Sequence, residues 1–510
     1  MDDISKVVEI GKQIQKLLTQ CSRLDWVQFT TGFDLGINAA TEQLVQTLKN
    51  KKDYHTILRH KEQDLAPLNR RRVDIIARIF KPYHLSEDLS KLLLEMQKRT
   101  DKLAQTVNTF RFTLDRREVR MTDINRILRS EPDRELRKKA FLATAQVNKV
   151  LIKDGFLDVI KLRNECARLY GARNFVEFKL EYDELDSSIF NDWIKDTRNL
   201  LQRAKTIISE YGIQYVCGPD VMPWDIDFLE AQIAPQMTEY VDMMKYYEVL
   251  RDTFCELGFD IARYNMTYDI FPRKNKTEWG YNFTIQDGVD SRVIANVENK
   301  YHDYKVLLHE TGHALHALIL DPGDVLLNLG ISGIVRESFA RVCDSLLYEE
   351  FFYSRIFKRT LMRTKKDFAR IKKLNKIYCI RRMHAMFFDQ ALYQENLNSL
   401  HDINALYWRK RKSILNEEPY TDNPPWGFVI HYSTHPIYLH NYLLAEITHD
   451  MLRSCFVQKH GVSNPFEKPL AFGQFLKSEL LEPSGAYTFQ QLFEKISGGQ
   501  FSLKYLAEDF

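Results

Sequence analysis

A disulfide framework is the first thing this sequence lacks. Its 7 cysteines (Cys21, Cys166, Cys217, Cys255, Cys343, Cys379 and Cys455) are odd in number and scattered, with no Cys-x-x-Cys pair. That pattern excludes a stapled secreted scaffold and predicts free thiols in a reducing compartment. Charge of one sign is also lacking: 72 Lys and Arg face 69 Asp and Glu, with no long basic block. Nucleic acid and anionic membrane surfaces are therefore not expected partners. No apolar run approaches the ~18 residues that cross a bilayer. The start, MDDISKVVEIGKQIQKLLTQ, reads as an amphipathic helix with acids at its head. It lacks the basic, apolar, small-residue order of a signal peptide, so a cytoplasmic location is expected. No repeat and no Ser/Gly linker divides the chain.

What is present is helical periodicity. Apolar residues recur at helical spacing over residues 86–114, 133–170, 190–211 and 226–257, with Ser86 opening the first stretch and Gly171 closing the second. Residues 264–297 break the rule. They alternate apolar and polar positions, carry β-branched and aromatic residues, and place Pro, Asn and Gly at turns. This predicts two or three short antiparallel strands. A stretch rich in Pro, Asn and aromatics, residues 416–435, reads as a long loop, of a length that is usually functional or disordered.

Directly after the predicted strands comes LLHETGHALHALIL, residues 307–320. His309, Glu310 and His313 form His-Glu-x-x-His. Residues four apart share a helical face, so both imidazoles reach one ion, and Glu310 reaches a water on it. The alternative is a core helix with satisfied histidines. His316, three residues on, suits a structural or outer role. A catalytic zinc needs a third protein ligand and one open position. His-Glu-x-x-His-x-x-Gly-x-x-His fails, because His316 and Ile319 stand where Gly and His are needed. A thermolysin-like spacing also fails, because it falls on Ser332. Glu337 is the next candidate, on a second helix opened by Ser332 and Gly333. Asp344, two turns further on the same face, is placed to orient a ligand histidine. Glu349 and Glu350 read as exposed carboxylates.

HETGHALH resembles the zinc helix of the thimet oligopeptidase and oligoendopeptidase F family of zinc metallopeptidases. There the third ligand is a Glu about 25 residues on, followed seven residues later by an acid, as Glu337 and Asp344 are here. The segments LRNECARLYGARNFVEF (162–178), PWDIDF (223–228), residues 291–310 and HYSTHPIYLHNYLLAEI (431–447) also resemble pieces of that family. Two departures stand out. His440 occupies a place where a Tyr is usual, and Arg336 and Arg341 flank Glu337 where small or neutral residues are usual.

The resemblance implies a mainly α fold, a large helical ellipsoid divided by a deep substrate channel, with a small antiparallel sheet beside the zinc helix. Residues 1–215 would form one channel wall and cover. Residues 216–510 would hold the sheet (264–298), the zinc helices (301–320 and 333–352) and the His/Tyr segment (431–447). It also implies one Zn2+ per chain on His309, His313 and Glu337, with Glu310 as general base and Asp344 behind His309. Candidate oxyanion donors are Tyr438 and His431, then His435 and Tyr442. The expected activity is hydrolysis of internal bonds of short unstructured peptides. The alternatives are a related carboxypeptidase or dipeptidyl carboxypeptidase, with Arg336 or Arg341 clamping a C-terminal carboxylate, and a peptide-binding protein without catalysis. Residues 290–298 are expected to pair with an extended substrate through a free strand edge.

Overall fold

The computed structural model describes residues 4–216, 218–359 and 365–507. Asp2 and Asp3 at the head of the first helix, and Cys217, lie outside the described residues. The protein is mainly helical, with two small sheets. No helix among the described residues is long and apolar enough to cross a membrane.

Helix α1 (Ser5–Thr31) ends where Gly32 takes a left-handed φ of 78° and returns its N–H to Gln28 O. That conformation is cheap for glycine alone. The apolar stripe Val7, Ile10 and Ile14 packs with Ile57, Val73, Ile76, Phe80 and Leu326 in a small core of its own. One larger core gathers buried residues from Leu89 to Leu506.

Helix α2 (Glu87–Thr109) starts as expected, with Ser86 Oγ accepting from Leu89 N at 3.0 Å. It stops earlier than the periodicity predicts. Phe112–Leu114 (β1) turns back on Arg117–Val119 (β2) as a hairpin. Its two turn residues, Asp115 and Arg116, both have positive φ, 47° and 65°, the geometry of a tight hairpin turn. The stretch 133–170 resolves into three helices, the last being α3 (Phe156–Tyr170). The stretch 226–257 is likewise not continuous. It breaks at Pro235 into helices Ile226–Ile233 and Tyr246–Glu256 with short turns between.

The second sheet corrects the antiparallel expectation. Met266–Asp269 (β3), Tyr281–Gln286 (β4) and Asp290–Ile294 (β5) lie in the order β3-β5-β4. β4 and β5 are antiparallel, but β3 and β5 run parallel. The reason is the connection after β3, which crosses to the far side of β5 instead of turning back. Lys276 fastens that crossing: its Nζ bonds the carbonyls of Asp269 and Phe271, each at 2.9 Å, and that of Ala295. The β4–β5 turn needs Gly288, with φ of 71°, because a Cβ there would lie 2.6 Å from Leu320 O. Central β5 is bonded on both sides, so the expectation that residues 290–298 offer a free edge to a substrate fails. Trp26 and Phe29 of α1 pack on Phe283 and Tyr281 of β4.

Helix α4 (Tyr304–Ile319) packs on this sheet and against α5 (Gly333–Ser345). Gly312, inside the His-Glu-x-x-His run, lets the two helices approach. A Cβ at Gly312 would sit 3.0 Å from Ala340 Cα and 2.9 Å from Cys343 Sγ. Ser332 caps α5, its Oγ accepting from Ile334 N at 3.2 Å. Beyond follow α6 (Lys365–Arg381), α7 (Met383–Ala391), α8 (His431–Thr434) and α9 (His440–His460). Glu349, read from sequence as exposed, is buried and paired with Lys372 at 2.7 Å and Arg453 at 2.9 Å.

Candidate metal centre

Helix α4 presents His309 and His313 one turn apart, their ring centroids 4.7 Å from each other. Their Nε2 atoms lie 3.2 Å apart. Glu337 reaches both from α5: its Oε2 lies 3.4 Å from His309 Nε2 and 3.6 Å from His313 Nε2. Three nitrogen and oxygen donors thus converge on one point.

The donor set fits a divalent cation, and one atom makes the case. Glu337 Oε2 is buried and has no hydrogen-bond partner. A buried carboxylate oxygen left so costs about 1–3 kcal/mol, and a cation between it and the two imidazoles would satisfy it. The other oxygen is occupied, because Tyr438 donates its hydroxyl to Glu337 Oε1 at 2.7 Å. Two imidazoles and one carboxylate are the ligands of a catalytic zinc site with a fourth position open.

The atoms behind the ligands fix their orientation. His309 Nδ1 lies 3.0 Å from Asp344 Oδ2, so Nε2 is the nitrogen free to ligate. Asp344 is in turn bonded by Arg341, which also bonds Glu446. Although burial opposes it, Arg341 and His309 hold the Asp344 carboxyl down at about 2. Asp344→Asn keeps the shape and removes the charge. We expect it to weaken metal binding by about 10–100-fold, read by competition with a chelating dye. Affinity within twofold of wild type would remove Asp344 from this role.

Glu310 is buried beside the ligands. Burial pushes its carboxyl above the ordinary range. His309 and His313 oppose this, and Glu337 and Asp344 reinforce it. Gly280, at the entry to β4, passes close: its Cβ position is 3.7 Å from Glu310 Oε1.

The C-terminal segment brings four of the expected side chains to the same place. His431 stacks on Tyr438 with centroids 6.0 Å apart, and its Nε2 meets the Tyr442 hydroxyl at 3.1 Å. Burial lowers the His431 imidazole to about 4, so it is neutral near pH 7. His435 is exposed; its ring borders His431 at 6.0 Å and Tyr438 at 6.3 Å, with Nδ1 2.8 Å from Thr434 Oγ1. Of the four, Tyr438 alone bonds a ligand among the described residues. His440 is buried against Phe190, centroids 5.5 Å apart, away from the cluster. His316 is fully buried with Nε2 3.1 Å from Ser484 Oγ, a structural placement.

Arg336 and Arg341, the sequence candidates for a carboxylate clamp, are both engaged. Arg336 bonds Asp287 at 3.4 Å, and Arg341 is held by Asp344 and Glu446. Among the described residues a second group, Glu446, His449 and Asp450, also has metal-binding donors in proximity. Protein cations already fill it. Arg341 bonds Glu446, Lys376 lies 2.9 Å from Asp450, and His449 Nε2 lies 3.1 Å from Ser345 Oγ.

Two positioning residues escaped the sequence reading. Asp389 on α7 accepts the Ile437 N–H at 2.8 Å, and Ile437 holds a left-handed φ of 56°. For a β-branched residue that is a strained conformation, and it sits directly before Tyr438. Arg163 of α3 donates to Ser433 O at 2.7 Å and to Tyr393 Oη at 2.8 Å. Together they clamp the segment that carries His431 and Tyr438. Arg163 lies in the stretch whose resemblance was noted, without a role. The Trp-Asp segment serves the fold: Asp225 pairs with Arg134 at 2.7 Å and Arg137 at 2.9 Å.

No family model and no curated relative matches the sequence. In fold the chain is similar to the crystal structure of M32 carboxypeptidase from Deinococcus radiodurans R1. The TM-score is 0.67 over 99% of this chain and 97% of that one, at 13% identity. The helical architecture is therefore shared from end to end with a protein whose sequence is almost wholly different.

Proposed function

We propose that the protein is a metal-dependent peptidase, with zinc the default ion, that shortens unstructured peptides from their C-termini. The observation that carries this is the convergence of His309, His313 and the unpartnered Glu337 Oε2, with the buried Glu310 carboxyl beside them. When bound, the ion polarises the scissile carbonyl and lowers the pKa of a water toward about 7.

The chain's own groups supply the proton transfers. Glu310 accepts the proton of the attacking water and delivers it to the nitrogen of the leaving amine as the C–N bond breaks. Tyr438 and His431 are the donors we assign to the oxyanion. The Tyr438 ring is placed by its bond to Glu337 Oε1, from which the hydroxyl turns to donate to the oxyanion, and His431 is placed by Tyr442. Asp389 and Arg163 hold the backbone that carries both.

Release from the C-terminus is supported by the structural neighbour, which bears the name of a carboxypeptidase. Internal cleavage is the second reading, supported by the resemblance of HETGHALH to an oligopeptidase family. A pool of short peptides incubated with the metal-loaded protein and read by mass spectrometry separates them. Ladders shortened stepwise from the C-terminus are expected. Internal cuts shared by free and C-terminally blocked peptides would establish the second reading instead. A pool left intact would end both.

A further inference from the structure

Among the described residues, two cations near the metal ligands make no ion pair. Lys305 stands one turn before His309 on α4, so both side chains leave the same face, about 6 Å apart along the axis. Its Nζ donates to the neutral Asn375 Oδ1 at 3.2 Å and lies 5.5 Å from the Tyr348 ring centroid. Arg382, at the start of α7, is exposed. Among the described residues neither Lys305 nor Arg382 makes an ion pair.

Asn375, the partner of Lys305, lies on α6, and Arg382, whose N–H bonds Tyr378 O at 3.0 Å, follows it by two helical turns on the same face, so the two cations border one space with the proposed catalytic groups. The Arg382 charge acts on Lys305, on Tyr442 and on His431. The other charges there include Asp227, Glu230, Asp344, Arg129 and Arg341; Arg129 pairs with Glu230 at 3.3 Å, and Arg341 with Asp344. Burial pulls the Lys305 ammonium below its ordinary value, Arg341 and Arg382 add to this, and Glu230 and Asp344 oppose it.

We infer that Lys305 and Arg382 form a subsite for the C-terminal carboxylate of a peptide whose scissile carbonyl lies at the His309–His313–Glu337 centre. This rests on the peptidase reading above and assigns the clamp to residues other than Arg336 and Arg341. One extended residue covers about 3.5 Å. A metal–oxygen contact and an N–H···O contact add roughly 2–3 Å at the two ends. A cation one helical turn from the first ligand therefore suits release of one residue, or at most two.

The test uses binding as well as cleavage. The full chain carrying Glu310→Gln is loaded with zinc, and a fluorescent short peptide is titrated as its free acid and as its C-terminal amide. We expect the acid to bind at least tenfold more tightly. In Lys305→Met and in Arg382→Gln, each checked by circular dichroism and melting, the acid-to-amide ratio should fall toward one. In the active protein the same changes should raise KM for the acid more than they lower kcat. A ratio near one before mutation, or a ratio that neither variant moves, overturns the subsite. So does an amidated peptide ending in Glu that binds as tightly as the acid, because the carboxylate recognised would then be a side chain. Cleavage of both peptides at equal rates would leave the peptidase reading standing and remove the subsite. An acid preference lost in both variants, with no cleavage by wild type, would keep the subsite and remove the peptidase reading.

Discussion

Glu310→Gln is expected to keep its metal and lose its activity, with hydrolysis slowed by roughly 10³-fold. Glutamine fills the same volume and cannot take a proton from water. Glu310 is not one of the converging donors, so the ion's seat is untouched. The residue is buried between two imidazoles and two carboxylates, where no solvent base replaces it. Metal content and cleavage rate must be measured on the same preparation. Loss of rate with full metal content supports the assignment. A variant that keeps more than a tenth of the rate would move the proton to another group.

Glu337→Ala should have the opposite pattern, with metal lost first and activity following. It removes the only carboxylate donor of the three and leaves two imidazoles. The loss in affinity should exceed the roughly 10–100-fold that removal of an outer partner costs. Melting temperature gives an independent reading. Wild type should gain about 4 kcal/mol of stability at a thousandfold excess of metal over Kd, and the variant should gain almost none. Without metal the variant should melt close to wild type. It loses the Tyr438 hydrogen bond but also sheds a buried oxygen with no partner. A variant still stabilised by metal to the wild-type extent would place the ion elsewhere.

The parts of the site legible in sequence are those written in local periodicity. His309 and His313 are four apart on one helix, and helix geometry alone makes them neighbours. Glu337 and Asp344 lie on the adjoining helix at a spacing that matched a known pattern. Arg163 and Asp389 were illegible as positioning residues. Each acts across a long stretch of chain on backbone atoms, and a buried Arg or Asp has no signature until its partners are known. Strand order was illegible for a similar reason. Alternation marks a strand but not which neighbour it chooses, and here a crossing loop decides. The hairpin at 112–119 turns on Asp115 and Arg116, a pair without the Gly or Asn that usually advertises such a turn. Conversely, the architecture is shared at 13% identity, because a core asks mainly for apolar residues of about the right size at buried positions.

Lys276, described above as a fastener of the crossing loop, is also a proton-linked element. Burial lowers its ammonium from the ordinary 10.5 to about 8, although Asp269 pulls the other way. Below about pH 8 the folded and unfolded chains both carry this proton, and the cost of burying the charge is fully present. Between about 8 and 10.5 the unfolded chain holds more of the proton than the folded one. The contribution of this group to stability therefore rises with pH across that window. The fastening itself is done by the charged form, whose hydrogens reach three carbonyls. Alkalinity thus removes an energetic burden from the sheet beside the metal helix while thinning the bonds that hold its crossing strand connection.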